Sequence, residues 1–243
     1  MSLDRLPPFA ATALLLDLDG TLLDLAPRPD AVVVPDGLPD TLRRLRDRLD
    51  GALGIITGRP VETVDALLGD APYAVAGEHG GAVRHARGET LQRPALPAPP
   101  AAWLEAVERL AAAHPGALLE RKARGFALHY RAVPEAGPAL RDALTALLAG
   151  SAAFELLPAH MLWEVRPRGV DKGKAVRALM ERAPFAGRKP LFIGDDVTDE
   201  DAISAARALG GAGFQVDSAF GTPAGVRAWL KDAATAEDWP ALP

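Results

Sequence analysis

The stretch Leu14-Leu15-Leu16-Asp17-Leu18-Asp19-Gly20-Thr21-Leu22-Leu23-Asp24 limits the folds open to this chain more than any other. Leu14 to Leu16 form an apolar run ending in a turn signal, the pattern of a strand covered on both faces. Side chains along a strand repeat with period two, so Asp17 and Asp19 point to the same side. Gly20 lets the backbone bend away sharply and approach a ligand closely. Two carboxylates at the carboxyl end of a parallel strand stand where open α/β sheets bind their ligands. Such a pair can hold a hard cation through oxygen, and Mg2+ combines few carboxylates with water and phosphate. With a metal present, one carboxylate can attack phosphorus, while the other protonates the leaving oxygen and later deprotonates a water. A bare Asp-x-Asp is equally a turn cap; Asp-x-Asp-Gly-Thr-Leu after an apolar strand is far more specific.

The elements that follow alternate strand and helix. Leu38, Leu42, Leu45 and Leu49 recur at helical spacing. Gly51 to Ile56 reads as a second buried strand, and Pro60 opens a helix that buries Val61, Val64, Leu67 and Leu68. Tyr73 to Ala76 is a third strand, and Ala82 to Gln92 a hairpin about Arg87-Gly88. Near the C-terminus Pro190 to Ile193 is a strand. Thr198 is placed to cap a helix burying Ile203, Ala206 and Leu209. Phe214 to Val216 and Thr222 to Leu230 supply a last strand and helix, and the Asp238-Trp239-Pro240 tail carries no pattern. This is a parallel sheet with crossover helices.

Between these halves the pattern changes. A proline-rich connector, Arg93 to Pro100, precedes a helix marked by Trp103, Val107 and Leu110, then strands Leu118 to Lys122 and Phe126 to Arg131. A second helix (Leu140, Leu144, Leu147, Leu148) and strands Phe154 to Leu157 and Leu162 to Arg166 repeat that order. The expected architecture is an α/β, Rossmann-like parallel-sheet hydrolase core from residues 1–97 and 168–243, with a smaller α+β cap inserted at 98–167.

Asp17-Leu18-Asp19-Gly20-Thr21-Leu22 resembles the first motif of the haloacid dehalogenase-like phosphatases, which implies Asp17 as nucleophile and Asp19 as general acid/base. Ile56-Thr57-Gly58-Arg59 resembles the second motif, which implies Thr57 as a phosphate ligand. A hydroxyl with the Gly58 and Arg59 amides at a helix start suits that task, although taken alone Thr57 is more simply a helix cap. Val170-Asp171-Lys172-Gly173-Lys174 resembles the third motif and implies that Lys172 neutralises the phosphate, with Lys174 as the fallback. Gly194-Asp195-Asp196-Val197-Thr198-Asp199-Glu200-Asp201 resembles the fourth. Acids gathered beside Asp17 would repel one another unless a cation compensates. By that match Asp195 is a direct ligand, and Asp196 and Asp199 ligate through water or orient neighbours. The metal set is thus Asp17, Asp19, Asp195, Asp196 and Asp199, and the cofactor Mg2+.

In the cap, strand alternation puts Ala127, His129 and Arg131 on one side and Phe126, Leu128 and Tyr130 on the other. Glu164 and Arg166 share a side, as do Glu120 and Lys122. Charged groups of this kind suit sugar hydroxyls. Gly77-Glu78-His79-Gly80, Glu120-Arg121-Lys122, His129-Tyr130-Arg131 and Glu164-Val165-Arg166-Pro167, with the third and fourth motifs, resemble the trehalose-6-phosphate phosphatases. The proline-rich Ala26-Pro27-Arg28-Pro29 after the first motif fits the same family. The resemblance implies hydrolysis of trehalose 6-phosphate, with Glu120, Lys122, Glu164, Arg131 and Arg166 on the disaccharide and Glu78, His79 and His129 in the substrate-binding set. Phosphatases of sucrose 6-phosphate or mannosyl-3-phosphoglycerate, a phosphomutase and a non-catalytic sugar-phosphate sensor are the rivals.

Composition narrows the classes further. The 243 residues include no cysteine, which excludes disulfides, thiol catalysis and thiolate metal sites. A net charge of −5 without a basic run argues against nucleic acid, and no apolar stretch reaches the ~20 residues of a membrane span. The start, Met1 to Pro8, lacks a signal pattern. The expectation is a cytoplasmic monomer that takes a small-molecule sugar phosphate and pairs functionally with a trehalose-6-phosphate synthase.

Overall fold

A computed structural model describes residues 6–28, 31–122 and 124–242; residues 1–5, and Pro29 of the proline-rich segment, lie outside these. The chain divides into two compact units, Met1–Arg93 with Asp171–Pro243, and Pro94–Val170.

The first unit is built on a six-stranded sheet. Its strands are β1 (Thr12–Leu16), β2 (Leu53–Ile56), β3 (Ala74–Gly77), β4 (Ala82–Arg84), β9 (Lys189–Gly194) and β10 (Ala212–Gln215), in the order β10-β9-β1-β2-β3-β4. All pairs are parallel except β3–β4. Every residue of β1 and β2 is buried, as their unbroken apolar runs require of strands covered on both faces. From β1 the chain builds outward to β2 and β3, then returns to β1's other side with β9 and β10. The order therefore reverses at β1, where an open α/β sheet forms its ligand crevice. Helices α1 (Leu38–Arg48), α2 (Val61–Leu68), α5 (Lys172–Met180), α6 (Glu200–Ala208), the single turn α7 (Val216–Ala219) and α8 (Pro223–Ala233) complete the unit. Leu42, Leu45, Val64, Val176 and Leu179 enter its core.

The second unit holds helices α3 (Ala101–Ala112) and α4 (Gly137–Leu147) and an antiparallel sheet in the order β5-β6-β8-β7. Its strands are β5 (Leu118–Arg121), β6 (Phe126–His129), β7 (Phe154–Ala159) and β8 (Leu162–Pro167). Phe126, Leu128, Phe154 and Val165 share a core with Val107 of α3 and Leu140 and Leu144 of α4. Alternation then leaves Glu120, Ala127, His129 and Glu164 on the opposite face, and the register sets Ala127 between Glu120 and Glu164.

Several local expectations shift. Ala82 to Arg84 pairs with β3, and only a Val83–Gln92 bridge remains of the expected hairpin. Joining a buried sheet removes Ala82 and Val83 from water, which an isolated hairpin cannot do. Strand β2 begins at Leu53 because Gly51 turns the chain with φ 92°. Asp196, not Thr198, caps the turn before α6, its carboxylate accepting from the Val197 amide at 2.7 Å. Leu209 is 43% exposed, since the helix ends before it and Gly210 reverses the chain. Strand β10 ends at Gln215, with Val216 opening α7. The tail is not idle: Trp239 lies parallel to Trp229 at 5.2 Å and against Phe9 at 4.2 Å.

Candidate active site

Asp17 and Thr57 are the first residues past their strands, and both continue the ladders. The Asp17 amide donates to the Ile193 carbonyl and the Thr57 amide to that of Ala76, each at 2.9 Å. Asp195 follows β9 directly. The register that binds β1 to β2 and β9 thus brings residues remote in sequence to one sheet edge.

At that edge Lys172, buried in the first turn of α5, places Nζ 2.7 Å from Asp17 Oδ1 and 2.6 Å from Asp199 Oδ1. Asp171 caps α5 by accepting from the Lys174 amide at 2.7 Å, which fixes the turn that aims Lys172 inward. Lys174 points away; its side chain is 59% exposed. Asp199 is fully buried, and its Oδ2 accepts the amides of Asp195 (3.1 Å) and Asp196 (3.0 Å). Gly194 makes room for it, since a Cβ there would lie 2.4 Å from Asp199 Cγ.

One carboxylate oxygen from each of Asp17, Asp195 and Asp199 lies within 4.8 Å of the others. Thr21 Oγ1 is within hydrogen-bonding reach of Asp17 Oδ2 (3.2 Å) and Asp195 Oδ1 (3.3 Å). Burial pushes the Asp17 carboxyl well above its ordinary range; Lys172 opposes this, and the charges of Asp199 and Asp195 add to it. Burial, then the charge of Asp199, pushes Asp195 up to about 6. Burial works against the Lys172 ammonium, but Asp17 and Asp199 outweigh it and hold its pKa above the usual value. Three carboxylates facing one ammonium leave an excess of negative charge, which a proton or a cation must offset. An all-oxygen donor set with that excess suits a hard divalent ion.

Asp19 is gripped by Arg59, with Nε 2.6 Å from Oδ2 and Nη2 2.7 Å from Oδ1. Asp196 is committed to its cap. The Arg59 amide donates to Thr57 Oγ1 at 3.2 Å, so Thr57 shapes the approach to α2 beside the Gly58 and Arg59 amides. His79 is buried against this loop; its amide donates to the Thr57 carbonyl at 2.9 Å, and a Cβ on Gly58 would meet its Nε2 at 2.6 Å. Glu78 pairs with Arg93 at 2.6 Å.

In the second unit Lys122 Nζ lies 2.5 Å from Glu164 Oε1, and His129 Nε2 2.8 Å from Glu120 Oε2. Burial pushes Glu120 up, but the His129 hydrogen bond and the Lys122 charge prevail and hold its carboxyl below the usual range. Arg166 turns to Glu155, its partner on β7, at 2.9 Å. Arg131 lies beyond the end of β6, so strand alternation no longer places it with His129. Thr21 sits inside the first motif, but its spacing alone does not mark the contacts it makes with Asp17 and Asp195. The side-chain role of Arg59 and the partners Arg93 and Glu155 are marked by no local pattern.

Residues 15–227 match the family described as trehalose-phosphatase, a span running from β1 to α8 and including every acid and lysine of the site. The chain belongs to the trehalose-phosphatase family. A trehalose-6-phosphate phosphatase of Escherichia coli is 38% identical over 221 residues, covering 90% of this chain and 81% of that protein. A bifunctional trehalose-6-phosphate synthase/phosphatase of Thermoproteus tenax is 36% identical over 217 residues, 82% of this chain and 28% of that protein. The C-terminal domain of the C. albicans trehalose-6-phosphate phosphatase superposes with a TM-score of 0.70 at 25% identity, covering 82% of this chain and 75% of that one. These trehalose-phosphatase relatives have the haloacid dehalogenase fold, a parallel-sheet core with a separate antiparallel sheet, as here. No helix among the described residues is long and apolar enough to cross a membrane.

Proposed function

We propose that this chain is a Mg2+-dependent phosphatase that hydrolyses trehalose 6-phosphate to trehalose and phosphate through an aspartyl-phosphate on Asp17. The observation that carries this reading is the meeting of Asp17, Asp195 and Asp199 around Lys172 at the edge where Thr57 follows β2. Mg2+, held by Asp17 and Asp195 with Asp19, Asp196 and Asp199 around them, would neutralise phosphoryl charge.

The chain's own groups do the rest. The Thr57 hydroxyl and the Gly58 amide receive the phosphoryl oxygens at the start of α2, with the Arg59 amide, which donates to Thr57 Oγ1, beside them, and Lys172 balances their charge. Asp17 attacks phosphorus; as the P–O6 bond breaks, Asp19 gives its proton to O6 and trehalose leaves. Asp19 then takes a proton from water as that water attacks phosphorus, the Asp17–phosphorus bond breaks, and phosphate departs. Glu120, Lys122, His129 and Glu164, with Arg131 and Arg166, read the disaccharide hydroxyls; Glu78 and His79 hold the phosphate loop. We read the protein as a cytoplasmic monomer acting after a trehalose-6-phosphate synthase, the activity joined to its relative in the Thermoproteus protein.

The test is phosphate release from trehalose 6-phosphate, sucrose 6-phosphate and mannosyl-3-phosphoglycerate, with Mg2+ and with a chelator. Preference for the trehalose ester, lost with the chelator and in Asp17→Asn, is expected. Comparable turnover of all three would remove the trehalose assignment; no turnover of any would favour the sensor reading.

A further inference from the structure

Asp19 has to pass a proton twice in the proposed reaction, yet a single side chain engages both of its oxygens. The Arg59 guanidinium meets them at 2.6 and 2.7 Å through Nε and Nη2. A two-point contact of this kind fixes the rotation of a carboxyl as well as its position, which a lysine ammonium cannot do. The pair is mostly screened from water, with side-chain exposures of 14% for Arg59 and 30% for Asp19.

The base of the fork is held as firmly as its tip. The Arg59 carbonyl accepts from the Glu78 amide at 3.0 Å, and a Cβ on Gly77 would lie 2.7 Å from that carbonyl oxygen. The turn supplying these contacts keeps Glu78, His79 and Gly80 at φ 54°, 56° and 96°. Left-handed backbone is unfavourable for the two residues that carry a Cβ, and it persists only where its surroundings impose it. Backbone strain is therefore concentrated against the residue whose side chain orients Asp19.

We propose that Arg59 is the positioning residue for proton transfer, fixing the orientation in which Asp19 meets the leaving oxygen. The inference rests on the phosphatase reading, which wild-type turnover tests beforehand. A proton is needed by the O6 alkoxide of trehalose but not by p-nitrophenolate, a stable anion. The experiment follows leaving-group release in the first turnover with trehalose 6-phosphate and with p-nitrophenyl phosphate, for wild type, Asp19→Ala, Arg59→Ala, Arg59→Lys and Arg59→Ala/Asp19→Ala. The loss on the trehalose ester should exceed the loss on the aryl ester by at least roughly tenfold in every single variant. The double variant should be no slower than Asp19→Ala, because Arg59 acts through Asp19. Arg59→Lys keeps the charge and removes the fork, so it guards against a folding defect in Arg59→Ala. Equal losses on both esters, additive losses in the double variant, or full activity of Arg59→Lys would overturn the proposal.

Discussion

A Cβ on Gly20 would lie 2.1 Å from Asp195 Oδ2, so the turn after the first acid pair and the acid after β9 fit together only because residue 20 has no side chain. Gly20 also sits at φ 79°, a left-handed backbone that opposes any replacement. Gly20→Ala is expected to lower Mg2+ affinity roughly 10–100-fold by displacing Asp195. Calorimetric titration of Mg2+, beside phosphate release, checks this; unchanged affinity would mean that Asp195 is not a ligand.

Lys172 is the cation facing Asp17 and Asp199 inside the core. Lys172→Met should abolish turnover and cost about 3–5 kcal/mol, because buried carboxylates lose their partner. Urea denaturation at acid and neutral pH measures this, and the loss should shrink toward acid pH as the acids protonate.

The raised pKa of Asp195 gives the proposed metal site a pH window. Protonation of this carboxyl stabilises the metal-free fold; the contribution is full below its ordinary value of 3.8 and is lost as pH rises through about 6. Mg2+ requires the carboxylate, so its affinity should rise over the same window and then level off. Titration between pH 5 and 7.5 in buffers of different ionisation heat should show weaker binding and proton release at the acid end. Constant affinity across that range would contradict the linkage.

Glu164 and Lys122 form a pair in the second unit, on the sheet face away from α3 and α4. Glu164→Gln keeps the volume and a hydrogen-bonding group, so KM for trehalose 6-phosphate should rise about tenfold more than KM for p-nitrophenyl phosphate. An equal change for both esters would make the pair structural.

The Trp229–Trp239–Phe9 stack joins α8 to both ends of the described chain, with the Arg48 guanidinium 4.4 Å from the Phe9 ring centre. Trp239→Ala should cost roughly 2 kcal/mol of stability with turnover at 25 °C retained. Thermal unfolding beside the phosphate-release assay distinguishes this from a role in the site.

The strands and helices of the parallel core were legible because apolar runs and helical periodicities are local. Leu14 to Leu16, and Leu38, Leu42, Leu45 and Leu49, have to be buried whatever their neighbours. Alternation likewise sorted Glu120 and Glu164 from Phe126 and Val165. Element ends were less legible, as Leu209 and Thr198 show, because a helix stops where a competing turn or cap wins.

The sequence by itself determined which groups the chain carries and that Asp17 and Asp19 follow an apolar strand. Tertiary structure decided their partners. Lys172 points to Asp17 while Lys174 turns to Asp171 at the surface because a helix cap sets the direction of one turn, and Arg59 reaches Asp19 because β2 lies beside β1. Spacing along a strand fixes a face, whereas contact across strands depends on register, which nothing short of the assembled sheet specifies.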